Sequence, residues 1–125
     1  MNILIYGGFN WLGYYLTEYF ITKNIINNIV IIDNFQNILM KENIRLKFDN
    51  FMHLYNVNIF VYNYNISHYN RLKEVYKIHK ISCVLNNIKY NICNNYFDNN
   101  DMLLGYNNIK LLNLDFKIKK YICLY

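Results

Sequence analysis

The first 33 residues constrain this chain more than any other feature. Asn2-Ile3-Leu4-Ile5-Tyr6 has the composition of a short buried strand, and Gly7-Gly8-Phe9-Asn10-Trp11-Leu12-Gly13 that of a glycine turn opening a helix. The helix runs from Trp11 to about Lys23, with Leu12, Tyr15, Leu16, Tyr19, Phe20 and Lys23 at the spacing of one helical stripe. Asn27-Asn28 then turns into a second apolar strand, Ile29–Ile32, which ends on Asp33. Strand, glycine turn, helix, strand and acid is the order that a dinucleotide-binding βαβ unit requires.

Each part of that unit has its own physical task. Gly7 stands where the strand turns sharply, and Gly13 where the helix must pack closely against the sheet. The helix N-terminus between them presents free N–H groups and the positive end of its dipole to a pyrophosphate. Asp33 lies 20 residues beyond Gly13. A carboxylate there accepts hydrogen bonds from the adenosine ribose hydroxyls and repels a 2′-phosphate, which favours NAD over NADP.

The alternation continues along the chain. A short helix is predicted from Leu39 to about Asn50, carrying Ile44, Leu46 and Phe48, and a third strand over Val57–Tyr62. A helix over His68–Lys80 places Leu72, Val75, Tyr76 and His79 on one face. A fourth strand follows at Ile81–Leu85, a polar connection at Tyr90–Asp101, a helix at Leu103–Asp115 and a fifth strand at Lys120–Tyr125. Strands alternating with helices imply right-handed βαβ crossovers and a parallel sheet. The expected architecture is one α/β domain over residues 1–125, a Rossmann-type sheet of about five strands in the order 3-2-1-4-5 with helices on both faces. The sheet would be incomplete at its C-terminal edge. That edge predicts poor solubility, a homo-oligomer, or a partner that covers it.

Composition tempers what single residues can mean. The chain lacks Ala and Pro, and its two Arg are Arg45 and Arg71, whereas Asn, Ile, Tyr, Lys and Phe abound. Depletion of residues with GC-rich codons points to an AT-rich genome. On that reading Asn pairs such as Asn86-Asn87 and Asn107-Asn108 need no mechanism. The net charge is +5, but the one tight basic cluster, Lys117, Lys119 and Lys120, is a solvated helix end leading into a strand. It is too sparse for a nucleic-acid stripe. No apolar run approaches the roughly 18 residues of a membrane span, and no signal core is present, so a soluble cytoplasmic protein is expected. Cys83, Cys93 and Cys123 lack metal-ligand spacing to one another and to His53, His68 and His79, and no metal site is expected. Cys83 and Cys123 read as small buried residues.

With these residues in place, the chain resembles the N-terminal part of an extended short-chain dehydrogenase/reductase, the group that includes NAD-dependent nucleotide-sugar epimerases and dehydratases. The family opens roughly T-G-G-x-G-F-[IL]-G and has D-N at the end of its second strand. Tyr6-Gly7-Gly8-Phe9-Asn10-Trp11-Leu12-Gly13 and Asp33-Asn34 stand in those places. Asn65-Ile66 falls where the family has Asp-Ile or Asp-Leu near the adenine. Ile81–Leu85 resembles the fourth strand, Gly105 the glycine of N-x-x-G-T, and Ile118–Ile122 the fifth strand. The Tyr-Gly-x-x-x-Trp-Leu-Gly variant is also similar to deoxysugar reductases.

The resemblance implies NAD as cofactor, held by Gly7, Phe9, Asn10, Trp11, Leu12, Gly13, Asp33, Asn34, Asn65, Ile66, Asn87 and Ile88. The departures are specific. Asn10 replaces the middle glycine; Asn tolerates left-handed backbone, but its side chain crowds the pyrophosphate route, at a cost of order 1–2 kcal/mol. Asn65 replaces a carboxylate. Asn87-Ile88 or Ile88-Lys89 replaces a pair of alanines, and Met102 and Tyr106 replace Asn and Thr.

In the family the catalytic Ser/Thr follows the fifth strand and a Tyr-x-x-x-Lys pair lies on the next helix, beyond the matched segment. Tyr69/Lys73, Tyr76/Lys80 and Tyr106/Lys110 match the spacing at the wrong places. In a Lys-rich chain with 14 Tyr, about one match arises by chance. They read as exposed helical neighbours. No catalytic residue is therefore assigned. Three functions are expected to compete: an NAD-binding domain without catalysis of its own; a fragment of an active enzyme whose nucleotide-sugar site needs a further C-terminal part; and a scaffold that binds no nucleotide and acts through protein contacts.

Overall fold

The computed structural model describes residues 1–23, 28–34, 38–88 and 99–124. Five strands, β1 (Asn2–Tyr6), β2 (Asn28–Asp33), β3 (Asn58–Asn63), β4 (Cys83–Asn86) and β5 (Lys120–Cys123), alternate with four helices. These are α1 (Trp11–Thr22), α2 (Ile38–Tyr55), α3 (Tyr69–His79) and α4 (Asn99–Asp115). The strands form one parallel sheet in the order β3-β2-β1-β4-β5, as the sequence predicts.

β1 and β2 pair in the register Ile3↔Ile29 through Tyr6↔Ile32, and these residues are fully buried. Their alternation divides the core into two layers. Ile3, Ile5, Ile29 and Ile31 pack with Ile21 of α1 and with Ile44, Phe48 and Phe51 of α2. Leu4, Tyr6, Val30 and Ile32 pack with Leu72, Val75 and Tyr76 of α3 and with Met102, Ile109 and Leu112 of α4. An apolar strand covered on both faces needs no polar alternation, which is why these strands read as continuous runs. Burying each such Ile contributes about 1.5–3 kcal/mol.

Several expectations are corrected. The core side of α1 is Gly13, Thr17 and Ile21, with Tyr14, Leu16 and Phe20 partly buried, while Leu12, Tyr15, Tyr19 and Lys23 are exposed. The helix is apolar on every side, so periodicity alone cannot find its phase; the small Gly13 and Thr17 mark the contact. α2 is longer than predicted, and Leu46 lies exposed on it. α4 begins at Asn99, inside the predicted connection, of which residues 90–98 lie outside the described residues, as do Asn27, Lys89, Cys93 and Tyr125. Cys83 is buried as expected, whereas Cys123 is exposed. β5 is an edge strand whose four residues are all exposed.

The tyrosines of the pairs Tyr69/Lys73, Tyr76/Lys80 and Tyr106/Lys110 are not exposed. Tyr76 is buried, and Tyr69 and Tyr106 are partly so. Among the described residues no helix is long and apolar enough to cross a membrane.

Candidate functional site

The site lies at the carboxyl ends of β1, β2 and β4. In open parallel sheets this is where ligands bind, at the point where the strand order reverses. Here that point lies between β1 and β4, whose following helices, α1 and α4, cover opposite faces of the sheet.

The glycine turn is built by three constraints. Gly7 has φ +67, a left-handed conformation that glycine adopts without steric cost. Its N–H donates to the Ile32 carbonyl at 2.7 Å, so the turn departs directly from the sheet ladder. Gly13 allows the close approach, although its neighbour is not the sheet. A Cβ there would lie 1.8 Å from the Gly8 carbonyl oxygen, so the helix packs against the turn itself. Phe9 anchors the loop from within, buried edge-on against Phe48 with ring centroids 5.6 Å apart. Its side chain therefore serves the core, and its backbone faces the site.

Asp33 is joined to this turn. The Phe9 N–H donates to Asp33 Oδ2 at 2.9 Å. The end of β2 and the glycine loop thus meet at a carboxylate. Asn34 follows it and is exposed.

Asn10 is not left-handed. Its backbone is extended, with φ −148 and ψ −178, so the tolerance of Asn for left-handed backbone is not called on. Its carboxamide instead caps α1: Oδ1 accepts from the Gly13 N–H at 2.9 Å, while Nδ2 donates to the Gly7 carbonyl at 2.8 Å. The expectation of free N–H groups at this helix end is corrected at Gly13, whose amide is taken by a side chain, as N-cap asparagines commonly do. Trp11 and Leu12, the first residues of α1, are exposed. The Lys47 ammonium lies over the Trp11 and Tyr14 rings, 5.7 and 5.1 Å from their centroids.

Opposite the turn, the chain leaving β4 supplies Asn86, Asn87 and Ile88. Asn87 Nδ2 donates to the Gly7 carbonyl at 3.1 Å and to Asn10 Oδ1 at 3.3 Å. Asn86 Oδ1 accepts from the Ile88 N–H at 3.0 Å and its Nδ2 donates to the Tyr121 hydroxyl at 3.2 Å. Tyr106 of α4 donates to the Ile88 carbonyl at 3.1 Å. Both asparagines are buried, which corrects the expectation that this pair needs no mechanism.

Asn65 and Ile66 sit after β3. Asn65 Oδ1 accepts from the Ser67 N–H at 3.0 Å, forming a local turn. Ile66 is buried against Gly105, where a Cβ would lie 2.2 Å from its Cγ1. Its side chain belongs to the core, so this segment can offer a ligand only its backbone and Asn65. Asn108 of α4, expected from its pair with Asn107 to need no mechanism, donates to the carbonyls of Ile66 and Ser67 at 3.0 and 3.1 Å and fixes the segment. Its signal, a polar residue on the buried side of an apolar helix, was hidden by the abundance of Asn. Among the described residues no cluster of His, Cys, Asp and Glu could hold a metal ion.

No family model matches the sequence, and no curated protein matches it. Solved structures do match the fold. The Thermus thermophilus UDP-glucose 4-epimerase in complex with NAD aligns at TM-score 0.74 and 13% identity, over 97% of this chain and 36% of its own. The Bordetella bronchiseptica enzyme WbmG in complex with NAD aligns at TM-score 0.75 and 19% identity, over 98% and 36%. The Bacillus anthracis dTDP-glucose 4,6-dehydratase in complex with NAD aligns at TM-score 0.71 and 19% identity, again over 98% and 36%. The chain thus spans about a third of the length of these structures, and over nearly all of its own length it shares the Rossmann-like fold of the part it matches.

Proposed function

We propose that this chain is an NAD-binding domain of the epimerase/dehydratase kind, taking NAD in preference to NADP. The observation that carries the reading is the Asp33 carboxylate bound to the Phe9 N–H at the mouth of the glycine turn. A carboxylate at that place accepts hydrogen bonds from vicinal ribose hydroxyls and is repelled by a 2′-phosphate. The left-handed Gly7 and the packing of Gly13 on Gly8 support it, because together they bring the turn and the N-terminus of α1 to the place of a diphosphate. The fold neighbours solved as NAD complexes support it at the level of fold. In the proposed pose, Gly7, Phe9, Asn10, Trp11, Leu12 and Gly13 flank the diphosphate. Asp33 and Asn34 flank the adenosine ribose, Asn65 and Ile66 the adenine, and Asn87 and Ile88 the nicotinamide half.

NAD, when bound, supplies hydride chemistry; this chain's residues bind and orient it. Turnover of a nucleotide-sugar is proposed only for a longer protein that adds the remaining two-thirds seen in the structural neighbours. Trp11, the sole tryptophan, is exposed on the first turn of α1 and gives a direct assay. Titration with NAD should change its fluorescence saturably, and Asp33→Ala should shift the midpoint upward at least tenfold. An unchanged emission together with no heat of binding would refute the reading.

A further inference from the structure

We infer that the carboxamides of Asn10 and Asn87 form a latch across the β1–β4 crevice, which a dinucleotide must open to bind. The inference rests on the NAD-binding reading and concerns how that site is controlled. Asn10 belongs to the turn after β1, and Asn87 to the segment after β4. Their side chains meet at 3.3 Å, and both donate to the same acceptor, the Gly7 carbonyl, at 2.8 and 3.1 Å. Asn10 Oδ1 also takes the Gly13 amide, one of the helix N-terminal donors a phosphate oxygen would use. The two loops are already in contact at the backbone. The Asn87 N–H donates to the Tyr6 carbonyl at 2.9 Å, and a Cβ on Gly7 would lie 3.1 Å from the Asn87 carbonyl oxygen.

The crevice at the strand-order reversal is therefore bridged by side chains of this chain, at the place where the proposed diphosphate would lie. A carboxamide resembles a phosphate in offering an oxygen to the helix N-terminus, and it differs in carrying no charge. A bound diphosphate would gain charge-assisted hydrogen bonds, which are about twice as strong as neutral ones. It can thus displace the latch, at the expense of the hydrogen bonds the latch makes. The latch lowers affinity without abolishing it, and it holds the turn in shape before any ligand arrives.

Isothermal titration of the whole chain with NAD tests this with Asn10→Gly, Asn87→Ala and the double variant. Glycine caps helices nearly as well as Asn, and Asn87→Ala leaves both Gly7 O and Asn10 Oδ1 with a partner, so each variant should fold; urea denaturation checks that each does. Each single variant should bind NAD about three- to tenfold more tightly, the scale of one or two neutral hydrogen bonds. The double variant should gain less than the product of the singles, because residues of one network are not additive. Measurable binding by the natural chain with no gain, or a loss, in folded single variants would overturn the latch and leave the NAD reading standing. Gains that multiply would overturn the latch as a unit. No binding by the natural chain and all variants would overturn both.

Discussion

The backbone amide of Phe9 and the carboxylate of Asp33, 24 residues apart in sequence, share a 2.9 Å hydrogen bond. It joins the end of β2 to the glycine turn. A hydrogen bond to a charged acceptor contributes about 1.5–3 kcal/mol, less where water reaches the group, as it does at this half-buried acid. Asp33→Ala should therefore lower folding stability by about 1–2 kcal/mol as well as weakening NAD binding. Asp33→Asn, which keeps a neutral acceptor, should recover most of the stability but not the binding. Urea denaturation beside titration separates the two effects.

Gly13→Ala should be the most disruptive single methyl in the chain. The added carbon would lie 1.8 Å from the Gly8 carbonyl oxygen, a backbone atom that cannot swing aside. Gly105→Ala meets the Ile66 side chain and not backbone, and the substitution gains about 1 kcal/mol of helix propensity. Overpacking costs typically about 1–3 kcal/mol and occasionally more. Denaturation midpoints should rank Gly13→Ala well below Gly105→Ala, and the reverse order would show that the turn can relax.

Thr17 lies on the core side of α1 with its hydroxyl buried and without a hydrogen-bond partner in the structure. Replacing an unsatisfied hydroxyl with a methyl group of similar size removes a desolvation penalty of about 1–3 kcal/mol. Thr17→Val should raise the Tm by several degrees. A lower Tm would mean that the hydroxyl has a partner, such as a bound water.

Between the sheet and the α3–α4 layer, the Tyr6 hydroxyl donates to that of Tyr76 at 3.0 Å, which in turn donates to Asn113 Oδ1 at 2.8 Å. Burial, followed by the proximity of Tyr76, pushes the Tyr6 phenol well above its ordinary value, and burial likewise raises Tyr76. Because the folded chain keeps these protons after the unfolded chain has lost them, their contribution is complete below about pH 10. It is lost as the pH rises beyond that value. Stability measured by urea should fall steeply above about pH 10, and the double variant Tyr6→Phe/Tyr76→Phe should flatten that limb.

What the sequence revealed and what it hid follow from how local each cause is. The strand order, the turn at Gly7 and the position of Asp33 were legible because apolar runs of fixed length and a glycine at a sharp turn are dictated by the backbone. The face of α1 was not, because Trp11, Leu12, Tyr14, Tyr15, Leu16, Tyr19, Phe20 and Ile21 surround the helix with apolar groups. The exposure of Cys123 was not, since an apolar strand at a sheet edge reads like one inside. Nor were the hydrogen bonds by which Asn87 and Asn108 hold their loops, because in so Asn-rich a chain the pairs Asn86-Asn87 and Asn107-Asn108 read as compositional. Burial distinguishes them: a buried carboxamide must find partners, and both do.

Parallel calorimetric titrations of NAD and NADP into the natural chain decide whether Asp33 selects the cofactor. Selection by that carboxylate predicts saturable NAD binding, with NADP weaker by at least tenfold because its 2′-phosphate meets Asp33, and loss of that preference in Asp33→Ala. Equal or tighter binding of NADP, or a preference for NAD that survives Asp33→Ala, would contradict it.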